Sequence, residues 1–514
     1  MSTVGSATQS QEFFGHPKGL YVCFFTEMWE RFSFYGMKAL LFLYLTKYHL
    51  FGDAPSYDLL GAYGGLVYAM PVIGGLLADR YLGMRKAVVF GGILLCLGHF
   101  GMAFEGEQAR MVDGVAVQDA RALQVFYFSL ALIITGVGFL KPNISTIVGK
   151  LYADNDPRRD SGFTLFVAGI NIGALVASLV CGYIGETYGW KYGFGLAGVG
   201  MVTGLIVFLW GQKHLQGHAE PARPELLRER VGGLPREWLI YLGGLAGVAV
   251  LWQLIQRNWT VQGAMHLVAL AFVSWFIWFL TTQCSREERG RMLSLVALIV
   301  FALVFYTLYE QTYGSWVAFN DRLMGKNLLG FEMTAGSLTF LGGFFIVILS
   351  PLFAWLWPWL ARRGRNPSTA VKTVVGLLFG GLSFLPLMAA ASMAEGGELA
   401  SVWWLVLAYL LLEIGEVCLY PIGISAVTTL SVARVVSLMM GAWFLATAYS
   451  ELLAHAVFGK LAAIEIPEGD TLNVVEAAGT YGDLFTLMLW IGLGSAAVAL
   501  VFAPLIKRGM RGVQ

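Results

Sequence analysis

Charged residues are scarce in this chain. Only 13% of its 514 residues are Asp, Glu, Lys or Arg, while 57% are hydrophobic. An average soluble domain carries about 25% charged residues, so the composition excludes an ordinary soluble protein. Apolar runs of membrane-spanning length recur from one end to the other. The chain is therefore predicted to be an all-α polytopic membrane protein.

The chain also lacks the residue clusters that mark metal sites, enzymes and channels. Its five cysteines are odd in number and lie mostly in mid-helix, so we interpret them as small packing residues. Its seven histidines are scattered, whereas a membrane-embedded enzyme would need His, Cys or Asp at catalytic or metal-binding spacing. Nothing in the sequence indicates the selectivity ring of a channel. We therefore expect no enzymatic activity, no metal and no cofactor.

The net charge and the amino-terminal residues are weak indicators of partners and targeting. The net charge of +1 indicates no nucleic-acid partner. The polar residues 1–18 contain no signal-peptide core, so the first apolar helix is expected to act as the insertion signal. The lipid bilayer is the one macroscopic partner that the composition predicts.

The apolar segments predict fourteen spans in a pattern of six, two and six. They are residues 19–50, 58–80, 86–104, 122–149, 162–188, 190–212, 238–256, 264–283, 292–318, 334–360, 370–393, 401–430, 435–463 and 482–506. The polar segment 212–237 is the one clear linker. This is the outline of the major facilitator superfamily fold, in which two six-helix bundles are related repeats. We assign residues 1–213 to the first bundle, 214–289 to a cytoplasmic linker with two inserted helices, and 290–514 to the second bundle.

The distribution of basic residues predicts the orientation. An even number of spans places both termini on the same side of the membrane. Lys and Arg are concentrated in the loops of that side. By the positive-inside rule both termini are expected in the cytoplasm, and we expect the protein in the cell inner membrane.

The loop after the second predicted span, residues 74–86, resembles the signature loop of the major facilitator superfamily. Topology alone explains its basic residues but not its glycines or Asp79. Asp79 is expected to cap or pair with basic residues at neighbouring helix ends. We therefore assign Asp79 and Arg80 a structural role.

Several ionisable residues are predicted to lie at membrane depth. They are Glu27, Glu30, Arg31, Lys38, Lys141, Glu310, Glu413, Glu416 and Glu451. Left unpaired at roughly 3 kcal/mol each, they would cost more than the ~5–15 kcal/mol by which a domain is stable. They must therefore pair, take up protons or line water. A carboxylate whose cationic partner comes and goes can bind and release a proton, as a proton-coupled carrier requires.

The first span contains a charged stripe. At 100° per residue, one face of a helix is shared by Glu27, Arg31, Phe34 and Lys38, with Glu30 and Tyr35 on its flanks. Such a face must turn toward a watery cavity or toward other helices. In the fourth span, Lys141 precedes a proline that bends the helix, and it lies too far from the helix end to reach a headgroup. In the predicted span 292–318, Tyr306 and Glu310 share a face.

Six motifs together resemble the proton-dependent oligopeptide transporter family, and the two middle spans resemble an insertion in its bacterial members. The motifs are Glu27-x-x-Glu30-Arg31-Phe32-x-x-Tyr35-Gly36, Gly138-x-x-Lys141-Pro142-Asn143-x-Ser145, Phe163 through Asn171-x-Gly173, Glu310-Gln311, Gly415-Glu416 and Trp443-Phe444-Leu445. The match runs over both halves, roughly residues 17 to 507. The resemblance implies a symporter that imports di- and tripeptides with protons by alternating access, with one copy as the transport unit.

The resemblance also implies residue roles. Proton coupling falls to Glu27, Glu30, Arg31 and Glu310. Substrate binding falls to Arg31, Tyr35, Tyr68, Lys141, Asn171, Tyr306, Gln311, Glu416 and Trp443. Within that set, Arg31 and Lys141 would hold the peptide carboxylate, and Glu416 the amino group. The gating pairs would be Lys38 with Glu310 and Lys141 with Glu416.

The charges fit this reading, with departures and alternatives. A zwitterionic peptide needs cations for one end and an anion for the other, and the two halves carry those signs separately. The sequence departs from the family pattern at Phe34, at Lys38, at Tyr420, at Glu451, where asparagine is usual, and in the additional acid Glu413. The same fold could carry nitrate or a peptide-like solute, although an inorganic anion has no amine for Glu416.

Overall fold

The computed structural model describes residues 12–153, 156–221, 223–465 and 472–510, and the statements below concern these residues. Most of the predicted polar tail, residues 1–11, and one position of the predicted linker, Ala222, lie outside them. Within the described ranges the chain is almost entirely helical, and its strands form only two-stranded hairpins.

The helices follow the predicted spans closely. The first half contains α1 (Lys18–Leu43), α2 (Asp53–Leu77), α3 (Met84–Met102), α4 (Ala120–Lys150), α5 (Arg159–Ala177), α6 (Tyr183–Tyr188) and α7 (Trp190–Gly211). The middle contains α8 (Pro224–Arg228), α9 (Arg236–Ile255) and α10 (Asn258–Thr282). The second half contains α11 (Arg286–Tyr309), α12 (Ser315–Leu323), α13 (Phe340–Arg362), α14 (Thr369–Leu382), α15 (Phe384–Glu395), α16 (Val402–Leu430), α17 (Val436–Leu452) and α18 (Val474–Gly509).

Short irregular turns and hairpins join these helices. Wide π-helical turns follow α1, α2, α5 and α17 at Tyr44–Tyr48, Ala78–Leu82, Ser178–Gly182 and Leu453–Phe458. Tighter 3-10 turns occur at Gln212–Leu215, Glu310–Tyr313, Ser337–Thr339, Ala433–Val435 and Gly459–Ala462. The hairpins pair Glu12–Phe13 with His16–Pro17, Arg110–Val112 with Val115–Val117, Arg230–Val231 with Leu234–Pro235, and Asn327–Leu328 with Phe331–Glu332.

The predicted membrane spans are confirmed as helices. Within the described residues, twelve helices are long and apolar enough to cross a membrane. The two other predicted spans correspond to α1, whose sequence is interrupted by Glu27, Glu30, Arg31 and Lys38, and to α17 with its following turns. The prediction of an all-α polytopic membrane protein with fourteen spans agrees with this architecture.

The start of α4 is fixed by a side-chain cap. The Asp119 carboxylate accepts the backbone N–H of Arg121 at 2.9 Å and of Ala122 at 3.1 Å, at the start of α4. Hydrogen bonds from the backbone N–H groups of Ala122, which has the largest effect, and of Glu107 and Arg121 hold the pKa of Asp119 below its usual value. A side-chain cap satisfies backbone groups that the first turn of a helix leaves unpaired, so α4 begins where the sequence places an aspartate.

The chain forms two compact units. The first comprises residues up to Leu40, Ala69–Ala109 and Val117–Gln256. The second comprises Leu41–Tyr68, Arg110–Ala116 and the residues from Arg257 onward. The outer part of the α1–α2 hairpin therefore packs with the carboxy-terminal helices. The predicted three-part division at residues 213 and 289 stays a prediction.

Close backbone approaches position the helices of the first unit. A Cβ atom at Gly74 of α2 would lie 2.0 Å from the carbonyl oxygen of Gly138 on α4. A Cβ atom at Gly173 of α5 would lie 2.3 Å from the carbonyl oxygen of Met28 on α1. Only glycine permits these crossings, because any side chain would collide with backbone. The first crossing holds α4 against α2, and the second holds α5 against the charged stripe of α1.

A buried ion pair joins the α2 start to α12 in the second unit. Both terminal nitrogens of Arg322 donate to the Asp53 carboxylate at 2.6 Å, and Arg322 also donates to the Tyr481 hydroxyl at 2.9 Å. The backbone N–H of Ile464 donates to Asp53 at 2.9 Å. Only 4% of the Asp53 side chain and 16% of the Arg322 side chain are exposed. The sequence analysis did not predict this contact.

Replacing Arg322 with alanine is expected to destabilise the second unit. Removing one partner of a buried ion pair costs about 3–5 kcal/mol, and the partial exposure of Arg322 favours the lower end of that range. The measurement is thermal unfolding of the detergent-solubilised protein, followed by tryptophan fluorescence. Lys47→Ala is the matched control, since Lys47 pairs with Asp321 at 2.5 Å but is 43% exposed, and such pairs contribute about 0–1 kcal/mol. Equal melting temperatures for the two variants would contradict the prediction.

Candidate functional site

Three charged side chains of α1, Glu27, Glu30 and Arg31, form what we call the α1 ion cluster. The Arg31 guanidinium donates to both carboxylate oxygens of Glu30, through Nε–H in a very short contact and through Nη2–H at 2.6 Å. Its Nε lies 3.6 Å from a carboxylate oxygen of Glu27, one turn earlier. At most 2% of each side chain is exposed. A bidentate contact fixes both partners, so Glu30 and Arg31 form one rigid pair with Glu27 as a second acid beside it.

Lys141 on α4 belongs to the same electrostatic group. It is attracted by Glu30 and Glu27 and repelled by Arg31 and Lys38. Glu27 and Glu30 thus face Arg31 and Lys141, four side chains whose charges sum to zero when all are ionised, and Lys38 is a further cation near Lys141. Protonation of one acid leaves a cation uncompensated in a buried place, where an anion is then favoured. The arrangement can exchange a proton for a carboxylate.

Two aromatic rings, those of Phe34 and Tyr35, lie beside Arg31 of the α1 ion cluster. The guanidinium carbon of Arg31 lies 4.8 Å from the ring centroid of Phe34 and 5.8 Å from that of Tyr35. The Lys38 nitrogen lies 6.0 Å from the Phe34 centroid. Cations within about 6 Å of a ring are attracted by its quadrupole. Phe34, one of the departures from the family pattern, therefore interacts with both cations through its ring face.

Asn171 and Tyr68, both predicted to bind substrate, are half-buried, but they lie in different units. Asn171 is on α5 in the first unit, and its amide nitrogen donates to the carbonyl of Val167 at 3.2 Å. Tyr68 is on α2 in the second unit. The structure therefore brings Asn171, and not Tyr68, into the unit that holds the α1 ion cluster.

Glu310 and Gln311 lie where the predicted span 292–318 departs from α-helical geometry, in the 3-10 turn after α11. Both side chains are buried. The Gln311 amide nitrogen donates to the carbonyl of Ala454 at 2.6 Å, and its oxygen accepts from the Ser315 hydroxyl at 2.6 Å. Gln311 therefore ties the 3-10 turn to the π-helical turn that follows α17. Its predicted contact with substrate stays a prediction.

Glu413 and Glu416 form a carboxyl pair on α16. Each is within hydrogen-bonding reach of the other and of Tyr309, whose hydroxyl donates to Glu413 at 3.3 Å. Glu413 is fully buried, and a Cβ atom at Gly342 of α13 would lie 3.0 Å from its carboxylate oxygen. Glu416 is half-buried. Glu413 thus faces neighbouring helices, and Glu416 is the accessible member of the pair.

Tyr306 and Trp443, predicted to contact substrate, are both largely buried. The Tyr306 ring packs edge-on against Phe305, with the centroids 5.6 Å apart. The Trp443 ring lies against Gly423 of α16, where a Cβ atom would approach it to 2.1 Å. Both rings are therefore fixed by packing within the second unit.

The two members of each predicted gating pair belong to different units. Lys38 and Lys141 belong to the first unit, whereas Glu310 and Glu416 belong to the second. The pairing of Lys38 with Glu310 and of Lys141 with Glu416 therefore stays a prediction of the resemblance.

The signature loop contacts the linker through Arg85. Asp79 and Arg80 are exposed in the π-helical turn Ala78–Leu82, and Asp79 has no ion pair within the part of the chain that the structure describes. Arg85 instead pairs with Glu220 through both Nε, in a very short contact, and Nη2 at 3.2 Å. The loop is thus tied to the linker by its basic residue. The latch role of Asp79 stays a prediction.

Sequence reasoning missed a second buried acid–base cluster. Glu310, Glu451 and His455 each place a carboxylate oxygen or ring nitrogen within 4.8 Å of the other two. The sequence places Glu451 at membrane depth without indicating its role, and it gives no chemical motif around His455. The i, i+4 spacing of Glu451 and His455 on one helix face was the available signal.

Comparisons with known proteins identify the family. The sequence profile of the POT family matches residues 85–472. An uncharacterized transporter, YclF, of Bacillus subtilis (strain 168) is 36% identical and covers 98% of this chain and 96% of its own length. A di-/tripeptide transporter of Lactococcus lactis subsp. lactis (strain IL1403) is 34% identical and covers 86% of this chain and 89% of its own length.

Solved structures give the same result. The crystal structure of a peptide transporter, POT, in complex with alafosfalin superposes with a TM-score of 0.80 at 33% identity, covering 98% of this chain and 97% of that one. A POT family transporter in complex with a thioalcohol conjugated peptide gives 0.80 at 26% identity, covering 97% of this chain and 98% of that one. The fold, the profile and the relatives agree, and the chain belongs to the POT family of transporters, with the major facilitator superfamily fold.

Proposed function

We propose that this protein is a symporter that imports di- and tripeptides together with protons by alternating access. The observation that carries the proposal is the buried α1 ion cluster together with the half-buried Lys141, in which Glu27 and Glu30 face Arg31 and Lys141. Its relatives from Lactococcus and from Yersinia enterocolitica bear the names of peptide transporters. Protons would be the coupling ion, and no other cofactor is proposed.

The α1 ion cluster would receive the peptide carboxylate. Arg31 is held by both oxygens of Glu30, so it is preorganised but occupied. Protonation of an acid in the cluster releases part of this hold, and Arg31 and Lys141 can then bind the substrate carboxylate. Hydrogen bonds between charged groups contribute about 1.5–3 kcal/mol each. Substrate and proton thus bind together, which is the requirement for symport.

The second unit would receive the peptide amino group. Glu416 is the accessible acid of the carboxyl pair, while Glu413 is buried beside it. A cationic amine at Glu416 would replace the proton that two adjacent buried carboxyl groups tend to share. An inorganic anion such as nitrate would leave Glu416 without a partner, so a substrate with both charges is favoured.

The orientation is also part of the proposal. Basic residues concentrate in the loops on the side of the two termini. The proposed location is therefore the cell inner membrane with both termini in the cytoplasm.

Uptake of labelled dialanine into proteoliposomes tests the proposed function. With an inward proton gradient, uptake is expected to exceed that of empty liposomes and to collapse when an ionophore dissipates the gradient. N-acetylated dialanine amide, which lacks both charges, is the matched control and should not be accumulated. Absence of uptake, or uptake that ignores the ionophore, would disprove proton-coupled peptide transport.

A further inference from the structure

The Glu310–Glu451–His455 cluster lies inside the second unit, apart from the α1 ion cluster. The imidazole Nε2 of His455 lies 3.4 Å from a carboxylate oxygen of Glu451, and neither side chain is exposed to solvent. Glu310, 5% exposed, completes the cluster from the 3-10 turn after α11. Two carboxyl groups and one imidazole are therefore buried together.

The surrounding backbone leaves room for these side chains. A Cβ atom at Gly64 of α2 would lie 2.5 Å from a carboxylate oxygen of Glu451. A Cβ atom at Gly314 would lie 2.7 Å from Nδ1 of His455. A side chain at either glycine would displace a member of the cluster. The packing of α2 and α12 thus fits an acid at 451 and a histidine at 455.

The cluster lies where two spans depart from α-helical geometry. Glu310 begins the 3-10 turn Glu310–Tyr313, and His455 lies in the π-helical turn Leu453–Phe458. Such interruptions are typical of functional positions and hinges, because they redirect side chains and loosen the helical ladder. Gln311 binds one interruption to the other through the Ala454 carbonyl. A change in the charge of the cluster therefore acts on both helices.

The neighbouring titratable groups are mostly phenols, which stay uncharged near neutral pH. In the turns that adjoin the cluster on α2, on α11 and its 3-10 turn, and on α17 and its following turns, they are Tyr57, Asp58, Tyr63, Tyr306, Tyr309, Tyr313, Tyr449 and Lys460. Lys460 and Asp58 pair with each other at 2.7 Å, and the Tyr449 hydroxyl is bonded to His266 at 2.7 Å. From the first unit, Lys38 is the predicted partner of Glu310.

With every acid ionised, the cluster would place two negative charges in a site closed to water. Like charges and burial both disfavour that state, and protons held within the cluster would relieve it. The imidazole offers a third position for them. We propose that Glu451 and His455 form, with Glu310, an additional proton-binding site that fills and empties during the transport cycle. This inference deepens the proposed function and rests on it for the role of the cycle.

The first test counts protons without any peptide. Purified protein in detergent is shifted from mildly alkaline to mildly acidic pH, and an indicator dye reports the protons bound per molecule. Glu451→Gln is expected to bind one proton fewer than the wild type, because one acid of the coupled group is gone. Glu395→Gln is the matched control, since it removes a carboxyl group that is exposed to solvent and lies outside the cluster. Its proton uptake should equal that of the wild type.

The second test measures the ratio of protons to peptide from the membrane potential at which net dialanine flux stops. The ratio is expected to fall by one in Glu451→Gln, while exchange of labelled for unlabelled peptide without a gradient persists. Glu451→Asn, which restores the residue typical of the family, guards against a folding defect and should show the same loss. Unchanged proton binding or an unchanged ratio overturns the inference. A wild type that carries no peptide disproves the proposed function instead, and the first test still decides whether the site binds a proton.

Discussion

Replacing Lys141 with alanine is expected to abolish proton-driven peptide uptake. In the wild type, Lys141 and Arg31 together balance Glu27 and Glu30. Without Lys141, two buried carboxylates share one guanidinium, so one of them must keep its proton throughout the cycle. A proton that is never released cannot couple transport to the gradient. The peptide carboxylate also loses one of its two proposed cationic partners.

The lost charge pairing sets a lower limit on the decrease in uptake rate. Removing one partner of a buried charge pair costs about 2 kcal/mol or more, which corresponds to roughly 30-fold in binding or rate. Initial rates of dialanine uptake in proteoliposomes measure it, at equal reconstituted protein. Lys150→Ala is the matched control, because Lys150 is exposed at the end of the same helix and should transport normally.

Lys141→Arg separates charge from geometry. It keeps the cation but adds a planar fork, so partial activity is expected. Wild-type uptake by Lys141→Ala would show that the balance of two acids and two bases has no part in coupling.

The helical architecture could be predicted from the sequence because each span carries its own signal. Length and apolar composition identify a membrane helix without any knowledge of its neighbours. The α1 stripe was predictable for the same reason, since Glu27 and Arg31 are one turn apart on one helix. Their ion pair at 3.6 Å confirms that local expectation.

Contacts between distant segments were less accessible. The Asp53–Arg322 pair joins residues far apart in the chain, and no periodicity connects them. The orientation of Glu413 toward α13 depends on the close approach at Gly342, which is a property of packing. His455 gave a local signal through its spacing from Glu451. Its third partner, Glu310, comes from another span and had to be found in three dimensions.

Replacing Glu416 with glutamine is expected to weaken selectively the transport of peptides that have a free amino group. Glutamine keeps the shape and a carbonyl acceptor but loses the negative charge. A hydrogen bond between charged groups contributes about 1.5–3 kcal/mol, so the half-saturating concentration of dialanine should rise about 10- to 100-fold. Competition of labelled dialanine uptake by unlabelled peptides measures this affinity.

The comparison with Glu413→Gln shows which carboxyl group receives the amine. Glu413 is fully buried and accepts from Tyr309, whereas Glu416 is half-buried. Glu413→Gln leaves the accessible acid in place and should keep the preference for free dialanine over its N-acetylated form. Glu416→Gln should lose that preference, because both forms then meet a neutral side chain. Full affinity of Glu416→Gln for unmodified peptides would remove Glu416 from the binding site and leave the amino group without a partner on α16.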